Sequence, residues 1–267
     1  MVDGLRLYRR LVGARIRSQL QYRTSFALDV LGMFLITFLD FGAILVIFSN
    51  VPELGEWSVA EVALLYGIGG IAFALTDMVI GHLDELSESI RTGNFDLVLI
   101  RPRGTLFQVI TSDFQLRRLG KAAQATVVLL YALSALDIAW TPQRVGMLVL
   151  AVLSASVIFG AVWVAMICIV FWTVEGRETA NAFTYGGMFL TQYPVNVYDQ
   201  WLRRFFAFVV PMAFVAYFPA LYVLDKPDPL GLPQFLQFIS PLVAVAVAGI
   251  AAAVWRTAVR HYRSAGG

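Results

Sequence analysis

Six stretches of the chain are apolar runs long enough, or nearly so, to cross a bilayer: residues 26–48, 62–81, 121–138, 145–173, 205–224 and 235–255. A hydrocarbon layer roughly 30 Å thick takes about 20 consecutive apolar residues in helical form. None of the six alternates polar and apolar positions as membrane-barrel strands do, so each is read as a helix. Residues 5–21 follow a different pattern. At about 100° per residue, Leu5, Tyr8, Leu11, Val12, Ile16 and Leu20 fall on one half of a helix and Arg6, Arg10 and Arg17 on the other. That pattern predicts an amphipathic helix lying in the interface, its arginines among anionic lipid head groups. The alternative is a basic flank that only sets topology.

Composition pushes the same way. The chain is 59% hydrophobic and 14% charged, with a mean hydropathy of +0.73. Soluble domains sit near about 45–50% apolar and about 25% charged, so a soluble or disordered chain is excluded. A net charge of +2 is too small for a nucleic-acid binder. The single cysteine, Cys168, can form neither an internal disulfide nor a cysteine metal cluster, and reads as a small buried hydrophobe. The first 25 residues carry six arginines and precede a run too long for a signal peptide. With 18 arginines to two lysines and many alanines, the composition is that of a high-GC bacterium, which places the protein in the bacterial plasma membrane.

Arginine placement predicts orientation. Arg6, Arg9, Arg10, Arg15, Arg17 and Arg23 precede the first run, and Arg91, Arg101, Arg103, Arg117 and Arg118 lie in the 82–120 connection. Arg256, Arg260 and Arg263 lie in the tail, whereas the 51–61 connection has Glu53, Glu56 and Glu61 and no base. The positive-inside rule puts both termini and the 82–120 loop in the cytoplasm, with 51–61 and 139–144 outside. An even number of crossings follows. The fifth is open between 180–197, which is only moderately apolar, and 205–224, which Pro211 and Pro219 interrupt. If 180–197 spans, 205–224 is a re-entrant hairpin on the outer side.

The 82–120 loop is the longest non-membrane segment. Leu83, Leu86 and Ile90 recur at helical spacing, Gly93 stands where a C-cap stops that helix, and Phe95, Leu97 and Leu99 alternate before Arg101 and Pro102. A helix, a tight turn and a Pro-stopped segment make a shaped docking surface; the alternative is a solvated connector.

Here the sequence resembles a known family. Ile90-Arg-Thr-Gly-Asn-Phe-Asp-Leu-Val-Leu-Ile-Arg-Pro102 is similar to the loop signature of ABC-2 type permeases. Gln192-Tyr-Pro-Val-Asn-Val-Tyr198, Val210-Pro-Met-Ala-Phe-Val-Ala-Tyr-Phe-Pro-Ala220 and the ending Trp255…Tyr262-Arg-Ser-Ala-Gly-Gly267 follow in the same order. The resemblance implies an all-α integral membrane fold: an interfacial helix, then six transmembrane helices with a re-entrant element between the fifth and sixth. It implies that the 2–3 loop, with Arg91, Gly93, Phe95, Asp96, Leu99, Arg101 and Pro102, docks an ATPase subunit. The Glu175-Gly-Arg177-Glu178 turn is a second docking element or a plain polar turn. Partners are then two copies of a separate ATPase, which carry the ATP and Mg²⁺, and a second permease subunit, identical or related.

No G-x-x-x-x-G-K-[ST] occurs, so no phosphate cradle and no cofactor is expected in this chain. His82 and His261 lie apart at membrane exits and suit neither metal nor base. Asp40, deep in the first run, is the candidate pathway acid, with Thr37 as its nearest hydroxyl and no base at similar depth. Asp29 and Asp77 sit nearer the interfaces, where hydration suffices. An ion-coupled secondary transporter, which Asp40 permits but no internal repeat supports, is the alternative.

Overall fold

In the computed structural model, residues 2–173 and 176–262 are described, and they form helices without a strand. In chain order these are α1 (Val2–Gln21), α2 (Arg23–Asn50), α3 (Val59–Ile80), α4 (Leu86–Arg91), α5 (Asp96–Leu99) and α6 (Thr105–Ile110). There follow α7 (Leu119–Ala135), α8 (Pro142–Ile167), α9 (Arg177–Thr191), α10 (Gln200–Arg204), α11 (Tyr217–Leu224) and α12 (Ser240–Arg260). Among the described residues, four helical stretches are long and apolar enough to cross a membrane: Arg23–Asn50, Val59–Arg91, Pro142–Phe171 and Ser240–Arg260. With 17 and 15 residues, α7 and α9 fall short of that length.

Local chemistry sets the helix starts. Ser58 accepts from Glu61 N while the Glu61 carboxylate accepts from Ser58 N at 2.7 Å, a capping box that opens α3. Thr141 caps α8, and Pro142 occupies its first position, where a missing N–H costs nothing.

Packing centres on α3, which α7, α8, α9 and α11 contact, while α2 packs chiefly on α7 and α12 on α8. Small residues allow the approach. A Cβ at Gly67 would lie 2.7 Å from Leu129 Cβ and 2.9 Å from its Cα, so α3 and α7 touch backbone to backbone. Phe73 stacks on Trp163 at 5.7 Å and meets Phe159 and Tyr185 edge-on, joining α3 to α8 and α9. Cys168 is buried, its thiol donating to Val164 O.

The two ends of the bundle differ. At one end α1 lies against residues 112–116: Arg15 donates to Ser112 O at 2.9 Å, and Gln19 pairs with Phe114 O and Leu116 N. Tyr8, Val12 and Ile16 are half-buried on that helix. At the other end the 51–58 connection meets the segment after α9. Asn196 donates to Gly55 O at 2.7 Å, Trp57 packs on Tyr217 at 5.6 Å, and Lys226 pairs with Glu61 at 2.8 Å. Arg144, at the start of α8, pairs there with Asp225 at 3.0 Å. Helix α9 joins the two ends, with Tyr185 bonded to Asp84 and Asn196, beyond its C-terminus, on Gly55.

Of the two prolines, only Pro211 stands at a break in the 205–224 run. After α10 the chain makes a wide turn, Val210 N donating to Phe205 O, and Val210 is extended before Pro211, as the residue before a proline prefers. Pro219 does not break the chain. It is the third residue of α11, within the first turn, where backbone N–H groups have no helical acceptor to lose.

Candidate functional site

The 82–120 connection folds into a braced unit. Through a 3-10 turn, Gly81–Glu85, α3 continues into α4, and Leu83, Leu86 and Ile90 point into the core. His82 is buried with Nε2 2.7 Å from Val109 O, tying the turn to α6. Past α4 the backbone reverses at Gly93, whose φ of +73° is a left-handed conformation that side chains resist. Phe95 N then donates to Ser89 O at 3.1 Å and closes the turn.

Residues 95–100 do not alternate in an extended run. They make one turn of helix, α5, because Val98 N and Leu99 N both donate back to Phe95 O. One side chain goes in and three go out. Phe95 is fully buried, 5.2 Å from Phe171 and 5.0 Å from Tyr262, and Phe171 meets Trp255 at 5.6 Å. Leu97, Leu99 and Ile100 are exposed, Ile100 at 78%. Two polar bonds clamp the unit to the end of α12. Tyr262 donates to Asp96 Oδ1 at 2.8 Å, and Trp255 Nε1 donates to Thr105 Oγ1 at 3.0 Å. Gln108 spans the Pro102 corner by donating to Val98 O and Arg103 O.

This arrangement divides the sequence candidates. Arg91, Leu99, Arg101 and Pro102 lie on the exposed face, Arg91 paired with Glu88 at 2.8 Å. Phe95 and Asp96 turn inward and hold the unit in place. Arg177 and Glu178 are exposed at the start of α9, and Glu175 lies outside the described residues. Asp40, Pro211 and Pro219 are elsewhere and join no common site with the loop. Tyr262 and Trp255 were visible in the sequence only as part of the terminal pattern; nothing there showed that they clamp the loop.

Beneath the unit lies a buried charge cluster that interface position alone misjudges. Asp77 does not face solvent. It is 0% exposed, and its Oδ2 receives Lys121 Nζ at 2.8 Å and Arg118 Nε at 3.3 Å. Arg118 also donates to Gln115 Oε1, and Gln115 N donates to Met78 O, so the start of α7 is tied to the end of α3. About two turns on, Asp84 receives Trp163 Nε1 at 3.0 Å and the Tyr185 hydroxyl at 3.2 Å. Three helices thus meet where α3 passes into the loop.

Asp40 contrasts with this. It is half-buried on α2 and makes no hydrogen bond or ion pair among the described residues. Thr37 does not solvate it, because its hydroxyl donates along α2 to Met33 O and Phe34 O. A base does lie within electrostatic reach, contrary to expectation: Lys121, whose ammonium is held by Asp77.

No curated protein and no solved structure matches the chain. The model of the ABC-2 family transporter proteins matches residues 34–266, a stretch that contains the braced loop, the buried charge cluster and the segment after α9. The chain therefore belongs to the ABC-2 transporter family, a family of membrane proteins in which ATP hydrolysis is the work of another subunit.

Proposed function

We propose that this chain is the permease subunit of an ATP-driven exporter. Its braced 82–104 unit receives a separate ATPase, two copies of which serve it and a second permease subunit, identical or related. The observation that carries this reading is the division within the loop. An exposed face of Leu97, Leu99, Ile100 and Arg101 is backed by Phe95, Asp96 and Tyr262, which fix it to the ends of α8 and α12. An exposed apolar and basic surface of this kind needs a partner, and a rigid mount lets movement of the partner reach the membrane helices. ATP and Mg²⁺ belong to that partner.

Six crossings fit this function: α2, α3, α7, α8, α9 and α12, with α10–α11 as a re-entrant hairpin on the outer side. The placement of Asn196 on Gly55 and Tyr185 on Asp84 supports a crossing by α9. The loop unit, α1 and the C-terminus then face the cytoplasm.

Copurification of the ATPase with this subunit, and the ATP turnover of the complex, test the proposal. Ile100→Asp and Arg101→Ala should lower both directly, and Asp96→Ala should lower them by releasing the loop from Tyr262. Unchanged assembly and turnover in all three variants would reject the loop as the ATPase contact.

A further inference from the structure

Arg203 and Arg204 stand on the end of the bundle that otherwise carries few cations, and they line a cavity of about 240 Å³. The remaining wall is largely apolar: Val195, Phe218, Leu230 and Leu232. No acid lines it. Arg203 is half-buried, and its Nε donates to Tyr198 O at 2.9 Å, which fixes the guanidinium without neutralising it. Arg204 has neither a hydrogen bond nor an ion pair among the described residues. Asp199, at the start of α10, is exposed and its carboxylate bonds to neither arginine among the described residues, and two further acids are committed elsewhere. Asp228 receives Tyr217, Leu230 N and Leu232 N, and Asp225 pairs with Arg144.

Two guanidinium groups beside apolar walls, neither bonded to a carboxylate, are a receptor for an anion. The surroundings show what carries it. Trp201 is 69% exposed and Val209 68% exposed, so the segment meets its environment through apolar groups, with an indole of the kind that sits at a membrane–water boundary. An anion reached from such a boundary belongs to an amphiphile.

We infer that Arg203 and Arg204 bind the phosphate or carboxylate head of an amphiphile at the outer face, its chain lying along Phe218, Leu230 and Leu232. This explains two arginines at an end where the positive-inside rule disfavours them. The outer placement rests on the topology proposed above; the anion site does not.

The test uses the full chain in phosphatidylcholine nanodiscs, titrated with labelled dodecyl phosphate and, separately, with dodecyl maltoside. Dodecyl phosphate should bind the Arg203→Gln, Arg204→Gln double variant about tenfold more weakly or worse, as loss of charge-assisted bonds predicts. Dodecyl maltoside binding should not change, and Arg204→Lys should keep most of the phosphate affinity. Equal dodecyl phosphate affinity in wild type and double variant overturns the inference, and so does a parallel loss of both amphiphiles. Phosphatidylglycerol in the disc distinguishes the source: displacement of dodecyl phosphate identifies a bilayer lipid, and retention identifies a free amphiphile of the kind an exporter releases. Sidedness is read separately, with Trp201→Cys in a Cys168→Ala background and an impermeant thiol reagent on intact cells. Labelling only after permeabilisation would overturn the outer placement and the topology, leaving the binding data to decide the anion site.

Discussion

Helices α2 and α3 are neighbours of similar apolar character in opposite surroundings. Along its 28 residues α2 buries only Thr37, Phe41 and Ile44, while α3 is buried at most of its positions. Leu28, Leu31, Ile36, Leu39 and Val46 of α2 face outward, where lipid or a second subunit must cover them. Apolar length therefore shows that a helix is suited to the membrane without showing what it faces. Residue size separates the two. With Ala63, Gly67, Gly69, Gly70, Ala72 and Ala74, α3 admits neighbours on several sides, whereas α2 projects large side chains. Their acids differ in the same sense, Asp77 being enclosed with two cations and Asp40 half-open without a bonded partner.

The largest effect that would sharpen this contrast is at Asp77. Replacing it by leucine leaves Lys121 and Arg118, whose side chains are 17% and 16% exposed, without their shared carboxylate. Removing one partner of a buried ion pair costs about 3–5 kcal/mol. Asp77→Leu should therefore lower the thermal midpoint of the purified chain strongly, with loss of monodisperse protein. Adding Lys121→Met should restore part of that loss, since one stranded charge is removed with the other. A wild-type midpoint for Asp77→Leu would mean the cluster does not hold α3 to α7.

Next in size is a matched pair of glycines. At Gly67 a methyl group would press on the Leu129 backbone, and overpacking of this kind costs about 1–3 kcal/mol. At Gly42 of α2 nothing lies within 4 Å of the added carbon, so only helix propensity acts, a gain of roughly 0.5–1 kcal/mol. Gly67→Ala should thus lower the midpoint and Gly42→Ala should hold or raise it. Equal shifts would remove the distinction between a packed helix and a bare one.

How far the sequence discloses these features depends on whether the signal is local. The run 26–48 lies within α2, and the runs 62–81, 145–173 and 235–255 fall largely on the other helices long enough to span, because sustained apolarity is a property of neighbouring residues. The 121–138 run and the 180–197 stretch correspond to shorter helices, α7 ending ahead of Asp137 and α9 ahead of Gln192 and Pro194. The loop's exposed cations were legible; its mounting was not. Tyr262 reaches Asp96 across 166 residues and Trp163 reaches Asp84 across 79, and no periodicity encodes such a meeting. The pairing of Asp77 is hidden for the same reason, since its depth along α3 is readable but the arrival of Arg118 and Lys121 is a tertiary event. Pro219 shows a positional limit: proline breaks a helix interior and is tolerated in a first turn, and only the structure places that turn.

Asp40 should give the smallest effect on stability and is the sharpest test of what α2 does. Its carboxylate has no bonded partner to strand, and its helix packs on one side only. Asp40→Asn and Asp40→Leu should both shift the midpoint by no more than about 0.5 kcal/mol, the range for positions away from packed or paired groups. This is a smaller disturbance than depth in the membrane alone would predict. An unpaired acid in a spanning segment is nevertheless expensive to insert, by roughly 2.5–3.5 kcal/mol at a helix centre, so a role in the pathway or at a subunit boundary would account for keeping it. If that role exists, both variants assemble normally but show altered transport, or altered ATP hydrolysis coupled to transport. Wild-type transport by Asp40→Leu would remove Asp40 from the pathway. Loss of folding on the scale of Asp77→Leu would show instead that α2 is not the bare helix that its three buried residues indicate.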